Sequence, residues 1–247
     1  MKKAIFCLTR GYPHGMMYGF LVRRNLSIAQ HLKNEKADIL LFHEGNIPVE
    51  HQQFIQEQTP DLPLTWIQVP WNFPWDMGNI PEQVMDTFRS GGCYPGYHLM
   101  CHFHSCEVWD YLKEYDVVLR VDEDCILTSP KWSNVFQELD DVDYRTCRYE
   151  TEIHVLTNEK LPEWLGEDAK YYDHQFPYTN VFITKMKPWL HEDVQAWIKK
   201  LRDSKNCLRY RWGDLPIHGV MLKKFGISHS LLDGYSYYHG SHKTEII

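Results

Sequence analysis

Short apolar runs and longer stretches with helical spacing take turns along the first third of the chain. The run at 4–8 predicts a buried strand, followed by a Thr9-Arg10-Gly11-Tyr12-Pro13 loop. From 20 to 32, Phe20, Leu21, Leu26, Ala29 and Leu32 fall near helical spacing and predict a helix. A strand at 38–43, a helix at 51–58 and a strand at 64–69 come next. Strand, helix, strand, helix, strand is the order of a doubly wound α/β unit on a parallel sheet.

The rhythm then breaks. Residues 70–95 are rich in Pro, Trp and Gly and predict a long loop, with a short helix near 82–88. Ordered loops of such length tend to be functional. An amphipathic helix at 97–112 leads into an apolar strand at 117–121, which ends on Asp122-Glu123-Asp124. Further strands are expected at 143–149 and 181–184, with irregular polar chain over 158–180. A helix at 192–201 puts Val194, Trp197, Ile198 and Leu201 on one face. A last helix at 217–225 starts behind Pro216, whose missing N–H is harmless in a first turn, and stops at Gly226. No linker splits the 247 residues, and 43% hydrophobic content supplies one large core.

A net charge of −7 argues against nucleic acid as a partner, because a basic face would be needed. A nucleotide remains compatible, since a metal can supply positive charge locally. The seven Cys are odd in number and show no CxxC spacing, so neither a disulfide framework nor a zinc cluster is expected. They read as small buried hydrophobes and point to a reducing, cytoplasmic setting. The N-terminal apolar run is too short for a signal peptide or membrane anchor, and no later stretch spans a membrane.

The chemistry concentrates in two segments. Asp122 and Asp124 are one residue apart at a strand end, where they can share one hard cation such as Mn²⁺ or Mg²⁺. In open α/β sheets, ligands gather at the carboxyl ends of the strands. Positions 211–218 read Arg-Trp-Gly-Asp-Leu-Pro-Ile-His and offer Asp214 and His218. An imidazole is compatible with Mn²⁺. Each residue also has a plainer account: a solvated acidic turn, a helix-capping Asp214, a structural His218 among fourteen His. Arg10 and Arg120 lie at strand ends and suit phosphate contacts or surface ion pairs.

Two stretches resemble glycosyltransferase family 15, the fungal Golgi α-1,2-mannosyltransferases. One is Tyr97-His98-Leu99-Met100-Cys101-His102-Phe103-His104-Ser105 with the strand from Tyr115 to Asp124; the other is Arg211–His218. The family carries Arg-Val-Glu-Pro-Asp and Arg-Trp-Gly-Asp-Ala-Pro-Val-His there. The likeness runs from about residue 94 to 226. It implies a single GT-A-type, Rossmann-like α/β domain with a mixed, mainly parallel central sheet flanked by helices. In it, 1–125 would be the nucleotide-binding half and 126–247 the acceptor-binding half. It further implies Mn²⁺, a nucleotide-sugar donor such as GDP-mannose, a carbohydrate acceptor, and transfer with retention. By position, Asp122 stands for the family's metal-binding Glu, His218 for its metal-binding His, and Asp124 for the closing Asp of the motif.

One departure matters. The family's Ser-Asn-Phe-Glu-Ile corresponds here to Thr179-Asn180-Val181-Phe182-Ile183, so Phe182 replaces a carboxylate implicated in catalysis. Asp214, with Asn180 as second candidate, would then orient sugar or acceptor, or the leaving phosphate would assist a front-face substitution. Arg10, Arg120 and Asp122 would meet the nucleotide. Two other readings stay open. Asp-x-Asp after a strand also opens the haloacid-dehalogenase-type phosphatases, although here the later Gly213-Asp214 segment ends in His218. A nucleotide-sugar-binding relative without turnover would also tolerate Phe182.

Overall fold

The computed structural model describes residues 1–75 and 96–240; the helix expected near 82–88 lies outside them. The early strands form where expected: β1 (Lys3–Thr9), β2 (Ala37–His43), β3 (Leu64–Gln68) and β4 (Val117–Val121). Between them lie α1 (Gly19–Leu32) and α2 (Val49–Gln58). The expected 97–112 helix is interrupted. It consists of α3 (Gly96–His102), a π-helical turn at Phe103–Glu107, and α4 (Val108–Leu112).

Past β4 the chain makes the short strands β5 (Cys125–Leu127), β6 (Tyr144–Thr146), β7 (Tyr149–Thr151) and β8 (Gln175–Pro177), then β9 (Val181–Lys185). Residues 158–180 are not irregular throughout. A helix, α5 (Val155–Leu165), runs into their first third, with Pro162 inside it. Its N-cap is His154, whose side chain accepts from the Thr157 N–H. Then come α6 (Glu192–Ser204), α7 (Asn206–Tyr210), α8 (Asp214–Lys224), β10 (His229–Leu231) and β11 (Tyr237–His239).

Seven strands form one sheet in the order β10-β6-β9-β4-β1-β2-β3. β3, β2, β1 and β4 run parallel, and β9 is antiparallel to both β4 and β6. The sheet therefore crosses residue 125, and both proposed halves contribute strands to it. Side chains alternate across it as the pleat requires. Ala4, Phe6, Leu40, Phe42, Val118 and Phe182 face one layer, packed with Trp109, Trp189 and α8 residues such as Ile217 and Met221. Ile5, Ile39, Val117, Leu119, Val121 and Ile183 face the other, with Ile28 and Leu32 of α1 and Trp132.

This parity has a consequence at β4. All five of its residues are buried, and Arg120 lies on the same face as Val118, toward α8. The helix comes close to its neighbours: a Cβ on Gly219 would stand 2.1 Å from Phe176 Cδ1. Strand β1 lies between β2 and β4, so the order reverses there, and the crevice at the carboxyl ends of β1 and β4 is a topological switch point.

Candidate functional site

Three chain segments meet at that crevice. The acidic turn leaves β4, and its Asp122 N–H donates to the Asn180 carbonyl at 3.0 Å, just before β9. Strand β11 pairs antiparallel with β5, with His239 opposite Cys125, and the Gly240 N–H donates to the Asp124 carbonyl at 2.8 Å. A side chain at Gly240 would collide with Phe20, since a Cβ there would lie 2.6 Å from Cε1. The Trp132 indole N–H, 2.8 Å from the Ser236 carbonyl, steadies the approach to β11. His239 is thereby carried to the acidic turn. Its Nε2 lies 3.3 Å from Asp124 Oδ2 and 3.0 Å from Asn180 Nδ2. Asp124 and His239 keep 22% and 12% of their side chains exposed, so both can be reached from solvent.

Glu123, between the two aspartates, faces the other way. Its carboxylate accepts from Thr9 Oγ1 at 2.6 Å and from the Tyr12 hydroxyl at 2.9 Å, tying the β1 loop to the acidic turn. Arg10 is exposed at the end of β1, with its guanidinium carbon 4.9 Å from the centre of the Tyr12 ring. That position leaves its guanidinium open to solvent at the carboxyl end of β1.

Arg120 is not open to solvent. It is 2% exposed, and its Nε and Nη2 donate to the two oxygens of Asp122 at 2.6 and 3.1 Å. Its Nη1 donates to Asp214, the first residue of α8. The inward parity of β4 turns this Arg to the interior, where it holds two carboxylates. Those carboxylates titrate as a set. Burial pushes Asp122 up to about 6 against the pull of Arg120. Burial acts on Asp214 in the same sense, but Arg120, His104 and His218 outweigh it and hold Asp214 well below the usual carboxylate range. The helix N-terminus favours the anion too. Asp214 thus stays charged and 6% exposed, an ion-pair partner before it is anything else.

His218 is likewise not brought to the acidic turn. It is 1% exposed, and its Nε2 lies 3.3 Å from the His104 carbonyl in the π-helical turn. Around it stand Trp109, Phe182 and Trp189, with ring centres 5.2–5.5 Å away. The last residue of β11, not the one on α8, supplies the imidazole beside Asp124; sequence reading missed His239, because nothing in Tyr237-Tyr238-His239 signals a partner that only β5 pairing brings near. Phe182 stacks on Tyr144 with ring centres 4.9 Å apart, in apolar surroundings where a carboxylate would have no countercharge but Arg120 across the β4–β9 pair.

Burial carries the His218 imidazole down to about 4 despite the nearby Asp214. The unfolded chain takes that proton near 6.5, and the folded one only near 4, so stability is lost as pH falls between these values. The loss amounts to about 3 kcal/mol. His218→Gln is expected to flatten the dependence of the urea midpoint on pH between 7 and 4.5. An unchanged slope in that variant would assign the proton uptake to another group.

Mn²⁺ fits the donors at the crevice. A carboxylate and an imidazole, exposed enough to receive a diphosphate as further ligand, form the mixed oxygen and nitrogen set that such an ion accepts. Among the described residues, no helix is long and apolar enough to cross a membrane.

No family model matches the sequence, and no curated protein does. Solved structures do match by fold. Core-mannan synthase A from Aspergillus fumigatus, in its Mn/GDP form, superposes with a TM-score of 0.77 at 17% identity, covering 97% of this chain and 74% of that one. The mannosyltransferase Ktr4p from S. cerevisiae, in complex with GDP, gives 0.76 at 15% identity over 96% of this chain and 71% of that one. The galactosyltransferase LgtC, with donor and acceptor sugar analogues, gives 0.52 at 12% identity over 92% and 72%. With its mixed, mainly parallel sheet and β9 reversed, this chain has the GT-A glycosyltransferase fold, in the form seen in the fungal mannosyltransferases.

Proposed function

We propose that the chain is a metal-dependent glycosyltransferase that moves a hexose from a nucleotide sugar to a carbohydrate acceptor. The observation that carries this reading is the Asp124–His239 pair at the switch point of the sheet. Asp124 and His239 would hold Mn²⁺, and the bound ion would offset charge on the leaving nucleoside diphosphate. Arg10 meets the diphosphate at the end of β1. Asn180 sets the tilt of the His239 ring through its amide. Asp122 and Asp214 fix Arg120, and through it the acidic turn against α8. Residues 1–125 serve the nucleotide, with His239 and Asn180 joining them from the other half, and the rest of 126–247 serves the acceptor.

One fungal neighbour is in an Mn/GDP form and another is in complex with GDP, so GDP-mannose is the first donor to test. Phe182 removes the carboxylate of a double displacement, and retention is proposed by front-face substitution. A phosphatase would need Asp122 as a free nucleophile, whereas Arg120 engages both of its oxygens.

The test is a panel of GDP- and UDP-sugars with Mn²⁺, read by melting temperature and by release of nucleoside diphosphate. A donor at a hundred times its Kd stabilises the fold by about 2.7 kcal/mol. For a chain of this size that shifts Tm by roughly 5–10 °C. The expected result is such a shift for one donor class, with Mn²⁺-dependent release. Neither shift nor release with any member would defeat the proposal, and a shift without release under any acceptor would leave a sugar-nucleotide binder.

A further inference from the structure

A second cluster of metal-ligating side chains lies away from the crevice. His102, Cys106 and Cys207 place one ligand atom each within 4.8 Å of one another, all in the interior. His102 ends α3 and Cys106 follows at i+4, so both project to one side of the helical segment. The π turn widens that segment and lets Glu107, at i+5, fall on the same side. Its Oε1 lies 3.4 Å from His102 Nε2. Cys207 arrives from the separate helix α7. Both cysteines are 0% exposed, and His102 is 8% exposed with Nδ1 lacking a hydrogen-bond partner among the described residues. A core needs neither two thiols nor an imidazole gathered at one point.

We propose that His102, Cys106, Cys207 and Glu107 form a zinc site, distinct from the Asp124–His239 pair. Two thiolates, an imidazole and a carboxylate are the donors zinc takes in tetrahedral centres. With bonds of about 2.3 Å to sulfur and 2.0–2.1 Å to nitrogen, ligand atoms sit roughly 3.5–4 Å apart, so a cluster within 4.8 Å needs to close by at most about 1.3 Å. Soft donors select Zn²⁺ over Mn²⁺, and the hard pair at Asp124 has the opposite preference. The two thiols lose their protons to solvent on binding. The ion ties the π turn to α7, so its action is on the fold. Glu107 and His102 also line a cleft with Trp71, Leu99, Arg202 and Leu208, which gives the ion an entry path.

The full-length chain, kept reduced, is titrated with Co²⁺ and followed by absorption. The expected result is a thiolate-to-cobalt charge-transfer band, displaced by Zn²⁺, that accounts for one Co²⁺ per chain apart from any held at Asp124–His239. Cys106→Ser and Cys207→Ser lose the band, and Asp124→Ala keeps it. Glu107→Gln, at a part-exposed position, keeps the band but weakens binding roughly 10-fold or more. Saturating Co²⁺ without a thiolate band in the wild-type chain overturns the site, whether or not the Cys variants fold. A Cys106–Cys207 disulfide in place of metal, found by mass, overturns it as well. Unchanged affinity in Glu107→Gln overturns the fourth ligand.

Discussion

Asp124→Ala is expected to lose Mn²⁺-dependent turnover by roughly a thousand-fold or more, because a metal at a leaving diphosphate supplies several kcal/mol of transition-state stabilisation. His239→Ala should fall nearly as far, since β11 brings its Nε2 within 3.3 Å of Asp124. The measurement is initial rate against Mn²⁺ concentration, with Mn²⁺ binding followed separately by its EPR signal. His218→Gln is the informative contrast. Its position among Trp109, Phe182 and Trp189 predicts a Mn²⁺ response like that of the wild type. Should His218→Gln lose the response while His239→Ala keeps it, the ligand pair proposed here is wrong and the sequence-based assignment stands.

The reason for that swap shows what one-dimensional patterns carry. Strand β4 and its acidic end were legible because a buried strand is a contiguous apolar run, and the carboxylates follow directly. The parallel half of the sheet was legible for the same reason. Parity within the strand was also legible in principle: Arg120 alternates with Leu119 and Val121, and that alone turns it inward toward α8. Sequence reading gave it to a phosphate because an Arg near a strand end is more often exposed. His239 was out of reach, since it depends on antiparallel pairing with β5, a three-residue strand without a pattern of its own. Helix α5 was hidden by Pro162, which marks a break in most helices, and by a His at its N-cap, which carries no familiar signal. The proximity of Cys106 and Cys207 was hidden for a similar reason: they share no local spacing, and the packing of α7 against α3 brings them together.

Arg120→Met is expected to cost about 3–5 kcal/mol, the usual penalty for removing one partner of a buried ion pair. The Arg lies 2% exposed between Asp122 and Asp214, so its loss leaves two carboxylates without a countercharge. That is a large share of the stability of an ordinary domain. Arg120→Lys retains the charge but lacks the planar fork that reaches both partners, and should fall between. The pH dependence identifies the cause. Without the guanidinium, burial lifts Asp214 above its unfolded value and Asp122 higher still, so the penalty is present at neutral pH and is relieved as pH falls through the raised values. His218 is common to both proteins, so the deficit of Arg120→Met against the wild type should shrink on going from pH 7 to 5. Replacing all three members, with Asp122→Asn and Asp214→Asn added to Arg120→Met, removes the unpaired charges and should recover most of the loss. Urea midpoints of the single and triple variants at both pH values decide the matter. A single variant whose deficit against the wild type widens in acid, or a triple variant no better than the single, would mean that Arg120 stabilises the fold by packing and not by its charge.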